Sequence, residues 1–274
     1  MELNKSNRDR LISELKQEIN DDLVQLKHLD MHAKDMTKKQ FAKMKRQLAP
    51  QAVGAASIAL QHIEAIFAGD LDAISLLLST LPEQSGGKIA VAMYRAGLPD
   101  EALRRGLGSA WDLGHNSVLD ACEAHFPDDP RHGFFRMFGS AKFPPPPELP
   151  ETVQIWRGAA GLTNSIARRH GAWMASGDHK DPKTIAIHGL SWTLDRDIAC
   201  WFAMRGLDSE KDSVCVLSAT VPRQKIVYYS NDRDEQEVIV DRPAGAAVDG
   251  TQADWKAGHQ RVMLARKREL TAPA

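Results

Sequence analysis

Three short stretches in the second half of the chain carry residue types able to act on a phosphorylated, sugar-bearing ligand. In Ile155-Trp156-Arg157-Gly158 an arginine closes an alternating run and is followed by glycine. A fixed guanidinium there can grip a phosphate through parallel N–H donors, and Gly158 leaves room for a ligand to approach the backbone. The second stretch is Gly189-Leu190-Ser191-Trp192-Thr193. Strand alternation sets the hydroxyls of Ser191 and Thr193 on one face and Trp192 on the other. The third is Glu235-Gln236-Glu237-Val238-Ile239-Val240. Two carboxylates on one side of a strand, with apolar residues behind them, suit the holding and deprotonation of a ligand. Each pattern alone is commonplace; the three together, in this order, are not.

Elements able to position these residues follow from periodicity. Alternation predicts strands over 153–157, 185–190, 214–221, 225–229 and 236–240. Helices are expected over 163–176 and 195–205, the latter with Ile198, Trp201 and Phe202 on one face, while 254–270 fits a strand or a helix. The first half reads as helical. Leu11, Leu15, Ile19, Leu23 and Leu26 recur at helical spacing over 7–29, and further helices are expected over 36–48, 51–68, 70–81 and 116–126, with a break at Gly97-Leu98-Pro99-Asp100. Five prolines between Phe143 and Pro150 form a stiff connector. The expected organisation is a helical targeting or interaction domain over 1–142, a linker over 143–150 and an α+β domain over 151–274.

Composition narrows the functions. The 274 residues carry 35 Lys+Arg against 36 Asp+Glu, a net charge of −1, which leaves no dominant electrostatic hold on nucleic acid or membrane. With 43% hydrophobic residues the chain is rich enough to bury a core, yet no apolar run reaches the roughly 20 residues of a membrane span. Cys122, Cys200 and Cys215 are widely spaced, which supports neither a disulfide framework nor a zinc site. With no apolar leader in MELNKSNRDR, a cytoplasmic location is expected. Gly86-Gly87-Lys88-Ile89 lacks the hydroxyl of a phosphate-binding loop, Gly106-Leu107-Gly108 lacks the third glycine of a dinucleotide fingerprint, and no GxSxG or HExxH occurs. His115, His170 and His188 are scattered, and the basic run over 34–46 reads first as a solvated helix face and second as a contact for RNA or an acidic partner.

The strand-end arginine, the Ser-x-Thr strand with a helix ending Trp201-Phe202-Ala203 behind it, and Glu-x-Glu opening a strand follow at intervals of 34 and 46 residues. This set resembles the Arg-Ser-Glu, cholera-toxin-like class of mono-ADP-ribosyltransferases, over about residues 150–245. It departs from that class in reading Ser-Trp-Thr for Ser-Thr-Ser, and it lacks the histidine and tyrosine of the poly-ADP-ribose polymerase branch.

The resemblance implies a split β-sheet with NAD, a consumed substrate, in a cleft between two small sheets, and no metal. It implies that Arg157 holds the NAD phosphates beside Gly158, that Ser191 orders the site with Thr193 stiffening its strand, and that Glu237 holds the ribose 2′-hydroxyl. Trp156 and Phe202 would line the nicotinamide pocket. Glu235 would orient or deprotonate the acceptor, which the loop from Tyr228 and Tyr229 to Asp234 presents. Protein arginine is the first acceptor expected and an RNA or DNA base, stacked on a tyrosine, the second. An intracellular toxin or effector fits, its helical half meeting a target, antitoxin or chaperone. An inactive binding module and an NAD glycohydrolase are the alternatives.

Overall fold

A computed structural model describes the backbone of residues 5–32, 62–81, 83–144, 148–160, 189–205 and 214–271. The helices expected over 36–48 and 163–176, residues 51–61 of another, 145–147 of the proline run and 185–188 of a strand lie outside the described residues. The chain divides into two compact units, Met1–Lys142 and Phe143–Ala274. Together they contain helices and an antiparallel sheet, an α+β composition. Among the described residues no helix is long and apolar enough to cross a membrane.

The first unit is helical. Helix α1 (Lys5–His32) buries Leu11, Leu15 and Ile19, the first three members of the periodic stripe; the side chains of Leu23 and Leu26 lie outside the described residues. Helix α2 (Leu71–Thr80) starts at Asp70, whose carboxylate accepts the free N–H groups of Asp72 and Ala73. Helices α3 (Glu83–Arg95) and α4 (Asp100–His125) cross closely because Gly87 lacks a side chain: a Cβ there would lie 1.9 Å from the Ser117 carbonyl oxygen. Gly86-Gly87-Lys88 is thus a helix crossing and not a phosphate loop. Helix α4 runs on through a kink at Gly114, so the segment expected over 116–126 is its second half. Helix α5 (Pro130–Ala141) was not expected, although Asp129 caps it and Pro130 opens it.

The second unit is built on β1 (Thr152–Ala160), β2 (Ser191–Thr193), β3 (Val214–Pro222), β4 (Ile226–Ser230), β5 (Glu237–Val240) and β6 (Ala247–Val248). They form one six-stranded sheet in the order β4-β5-β2-β1-β3-β6, with every pair antiparallel. The two separate small sheets expected are therefore one. The reason is a narrow junction: β1 pairs with β3 from Thr152↔Pro222 to Ala160↔Val214 but with β2 only at Trp156↔Thr193.

Trp192 faces one side of the sheet, packed with Val153, Ile155, Leu217, Val238 and Val240. Helices α6 (Arg196–Met204) and α7 (Gln252–Thr271) cover the other, where Ala199, Cys200 and Ala203 meet Val216 and Trp255. The stretch open to strand or helix is thus a helix. Thr251 and Asp254 begin it by reciprocal hydrogen bonds, a capping box. Asp249 ties the layer together, its carboxylate accepting from Trp156 Nε1 and Arg196 Nε, both at 2.8 Å.

Gly158 is where α6 touches the sheet. A Cβ on it would lie 1.8 Å from the Ala199 carbonyl oxygen. The space expected to admit a ligand on its side-chain side is filled by helix backbone, so Gly158 serves packing there. Gly158→Val is expected to cost about 1–3 kcal/mol through overpacking, measured as a lower denaturation midpoint by tryptophan fluorescence.

Candidate active site

Arg157 leaves β1 where that strand parts from β2. The Leu190 carbonyl accepts from the Val240 N–H at 3.2 Å, so in a strand the next carbonyl, that of Ser191, turns back toward β1. Arg157 Nη1 donates to it. A side chain thereby takes the place of the ladder bond that the short β1–β2 pairing omits. Gly189 makes this possible, since a Cβ there would fall 2.0 Å from the Arg157 Cζ. The signal for Gly189 in the sequence is a glycine two residues before the serine.

Strand register sets the acidic motif beside the hydroxyls, while alternation from Trp156, which pairs with Thr193, turns Arg157 to the Trp192 face of the sheet. Ser191 lies opposite Ile239 and Thr193 opposite Glu237, so Ser191, Thr193 and Glu237 share a face across two adjacent strands. Glu237 is only 5% exposed. Glu235 is buried too, but strand alternation does not align it with Glu237 as expected. It precedes β5 in a tight turn, between Asp234 and Gln236, both in the left-handed region at φ 54° and 45°. Such residues persist where neighbours over-determine them. Here the Gln236 N–H donates to Asn231 Oδ1, the Leu194 N–H to the Gln236 carbonyl, and Thr193 Oγ1 to the Glu235 carbonyl at 2.6 Å.

Thr193 is correspondingly committed. Its hydroxyl donates to Glu235 and accepts from the Asp195 N–H at 3.0 Å, and the residue is buried. It positions the acidic turn and the start of α6, and has no hydroxyl proton left for a cofactor.

Arg233 lies in the loop that precedes the acidic turn and reaches both of its carboxylates. Its Nη2 lies 3.1 Å from Glu237 Oε2 and 3.4 Å from Glu235 Oε2. Two further cations join it. Arg205 stacks on Phe202 and Trp201, 4.2 and 4.6 Å from the ring centroids, and Arg266 stacks on Trp201 at 4.1 Å. The available signal was an arginine three and four residues after an aromatic pair. Phe202 therefore supports a guanidinium, while Trp156 joins the α6–α7 core and bonds Asp249. Tyr228 is 5% exposed, edge-on to Phe143 at 4.8 Å, and Tyr229 packs against the Trp192 cluster. The Tyr228 ring is thus covered, which removes the stacking role expected of it, while the Tyr229 ring is half-buried.

Burial holds the Glu235 carboxyl above its ordinary value, with Glu237 adding to the rise, while Arg233, Arg205 and Arg266 pull it down. The described cysteines are buried thiols, and burial pushes Cys200 up to about 11, so it is no nucleophile at neutral pH. No cluster of His, Cys, Asp and Glu able to hold a metal occurs among the described residues. Compared with known proteins, the chain matches no family model, no curated protein and no solved structure.

A raised folded-state carboxyl gains stability when protonated and loses it as pH rises through the raised value. Carbon-detected NMR of the full chain is expected to show Glu235 titrating above 4.5. In Arg233→Ala the midpoint should move further up, because the nearest cation has gone. A midpoint at or below the ordinary value contradicts this assignment.

Proposed function

We propose that the second unit cleaves NAD and transfers its ADP-ribose to a guanidinium-bearing acceptor, as a mono-ADP-ribosyltransferase of the Arg-Ser-Glu class. The observation that carries this reading is the adjacency of β1, β2 and β5, which brings Arg157, Ser191 and Glu237 to neighbouring strands from distant parts of the chain. The donor set fits such a substrate. Cationic groups at Arg157 and Arg205 suit a diphosphate, and Ser191 with Glu237 suits ribose hydroxyls.

NAD contributes a ribose–nicotinamide bond whose cleavage leaves positive charge at the anomeric carbon. Glu237 is the group placed to favour that charge. Its carboxylate accepts the ribose 2′-hydroxyl and, in a setting of low polarity, favours the transition state over the ground state. Arg157 keeps β1 and β2 in register through the Ser191 carbonyl and presents the rest of its guanidinium to phosphate. Glu235, whose raised affinity for protons suits a base, takes the proton that the acceptor gives up. A protein arginine is the acceptor favoured, because the glutamate pair already accommodates one guanidinium, that of Arg233. The helical unit is the part left to meet a target, antitoxin or chaperone in an intracellular toxin or effector.

Nicotinamide release from NAD by the purified chain tests this reading. Glu237→Gln is expected to slow release by about 10²-fold or more, with circular dichroism unchanged. Glu235→Ala should suppress transfer to added protein while leaving hydrolysis measurable. A wild-type chain that releases no nicotinamide overturns the reading.

A further inference from the structure

We infer that Arg233 is a self-modification site: the chain transfers ADP-ribose to the Nη2 of its own Arg233. This inference rests on the transferase reading above and adds an acceptor which that reading leaves unnamed. Its basis is the position of one nitrogen. Arg233 Nη2 lies 3.1 Å from Glu237 Oε2 and 3.4 Å from Glu235 Oε2, so it touches the group that would hold the ribose and the group that would take the acceptor's proton.

A carboxylate bonded to the ribose 2′-hydroxyl holds the anomeric carbon, one carbon further along the ring, beside itself. A nitrogen against that same carboxylate is therefore within attacking range once NAD is seated, which is the main geometric requirement of a transfer step. The other nearby arginines differ. Arg205 and Arg266 lie against aromatic rings, and Arg157 is bonded to the Ser191 carbonyl. The Arg233 side chain is 40% exposed, so it is not sealed in the core.

Its loop also holds it in place. Asp234 and Gln236 adopt left-handed backbone, the Asp234 N–H donates to the Asn231 carbonyl, and the Gln236 N–H donates to the Asn231 side chain. The guanidinium is thus delivered by a braced turn.

The chemistry balances without a further reagent. The bond between the anomeric carbon and the nicotinamide nitrogen breaks, and neutral nicotinamide leaves with the electron pair. Arg233 Nη2 forms the new carbon–nitrogen bond and gives one proton to Glu235, which releases it to water. The products are nicotinamide, a proton and an ADP-ribosylated chain. Once Nη2 carries this bulky, anionic substituent it can no longer bridge the two carboxylates, so self-modification leaves the acceptor position free of its internal occupant.

The full chain is incubated with NAD alone, and nicotinamide release is followed alongside intact-mass and fragment-ion mass spectrometry. The expected result is one ADP-ribosyl group per chain, mapped to Arg233 and formed at a rate unchanged by dilution, as required for reaction within one molecule. Arg233→Lys, which keeps a cation between the carboxylates, should lose this group, and Glu237→Gln should form it about 10²-fold more slowly. Nicotinamide release with Arg233 unmodified, or label mapped to another residue, overturns the inference and leaves the transferase reading standing. Absence of both release and label overturns the two together.

Discussion

Burying two carboxylates side by side sets the terms for the rest of the second unit. The Glu235 and Glu237 side chains are 12% and 7% exposed and reach the same guanidinium nitrogen. Burial and the neighbouring Glu237 both raise the cost of ionising Glu235. Such a pair survives only where cations and hydrogen bonds compensate. Arg233 supplies the nearest cation, and Arg205 and Arg266, stacked over Trp201, extend the positive field. The left-handed residues on both sides of Glu235 and the Thr193 hydroxyl on its carbonyl hold the turn in the one shape that lets both carboxylates meet that field.

The sheet delivers the remaining groups by an economy of pairing. With only Trp156↔Thr193 in register between β1 and β2, the junction would leave the inward carbonyl of Ser191 without a ladder partner. The Arg157 guanidinium fills that role, which ties a charged side chain to the backbone of the hydroxyl-bearing strand. Gly189 and Gly158 permit this arrangement from opposite directions, one by admitting the guanidinium and the other by admitting the α6 backbone. Substitutions at either glycine act on the site through geometry, without removing any group that performs chemistry.

Much of this was legible in the sequence because it is local. Period-2 runs located β3, β4 and β5, Asp195 marked the start of α6, and alternation set Trp192 on the face opposite Ser191 and Thr193. What escaped was non-local. Gly158 followed a strand-end arginine just as a ligand-admitting glycine would, and only the packing of α6 revealed its task. Tyr228 and Tyr229 bordered a polar loop, yet the bulge in β4 near Tyr228 and the packing of Phe143 and the Trp192 cluster turned both rings to structural use. Glu235 shared a two-residue spacing with Glu237 but reached the same cation through a turn, because Gln236 leaves the extended conformation that alternation assumes. Arg233 was in plain view as a cation two and four residues before the glutamates; that its side chain folds back between them depends on the left-handed backbone, which residue type alone does not dictate.

The proposal that Arg157, Ser191 and Glu237 bind one NAD molecule is tested most directly by a crystal structure of the full chain with a carbocyclic NAD analogue that resists cleavage. The account predicts the ribose 2′-hydroxyl on the Glu237 carboxylate and the diphosphate beside the Arg157 guanidinium. An analogue bound away from β1, β2 and β5, or absent at saturating concentration, would contradict it.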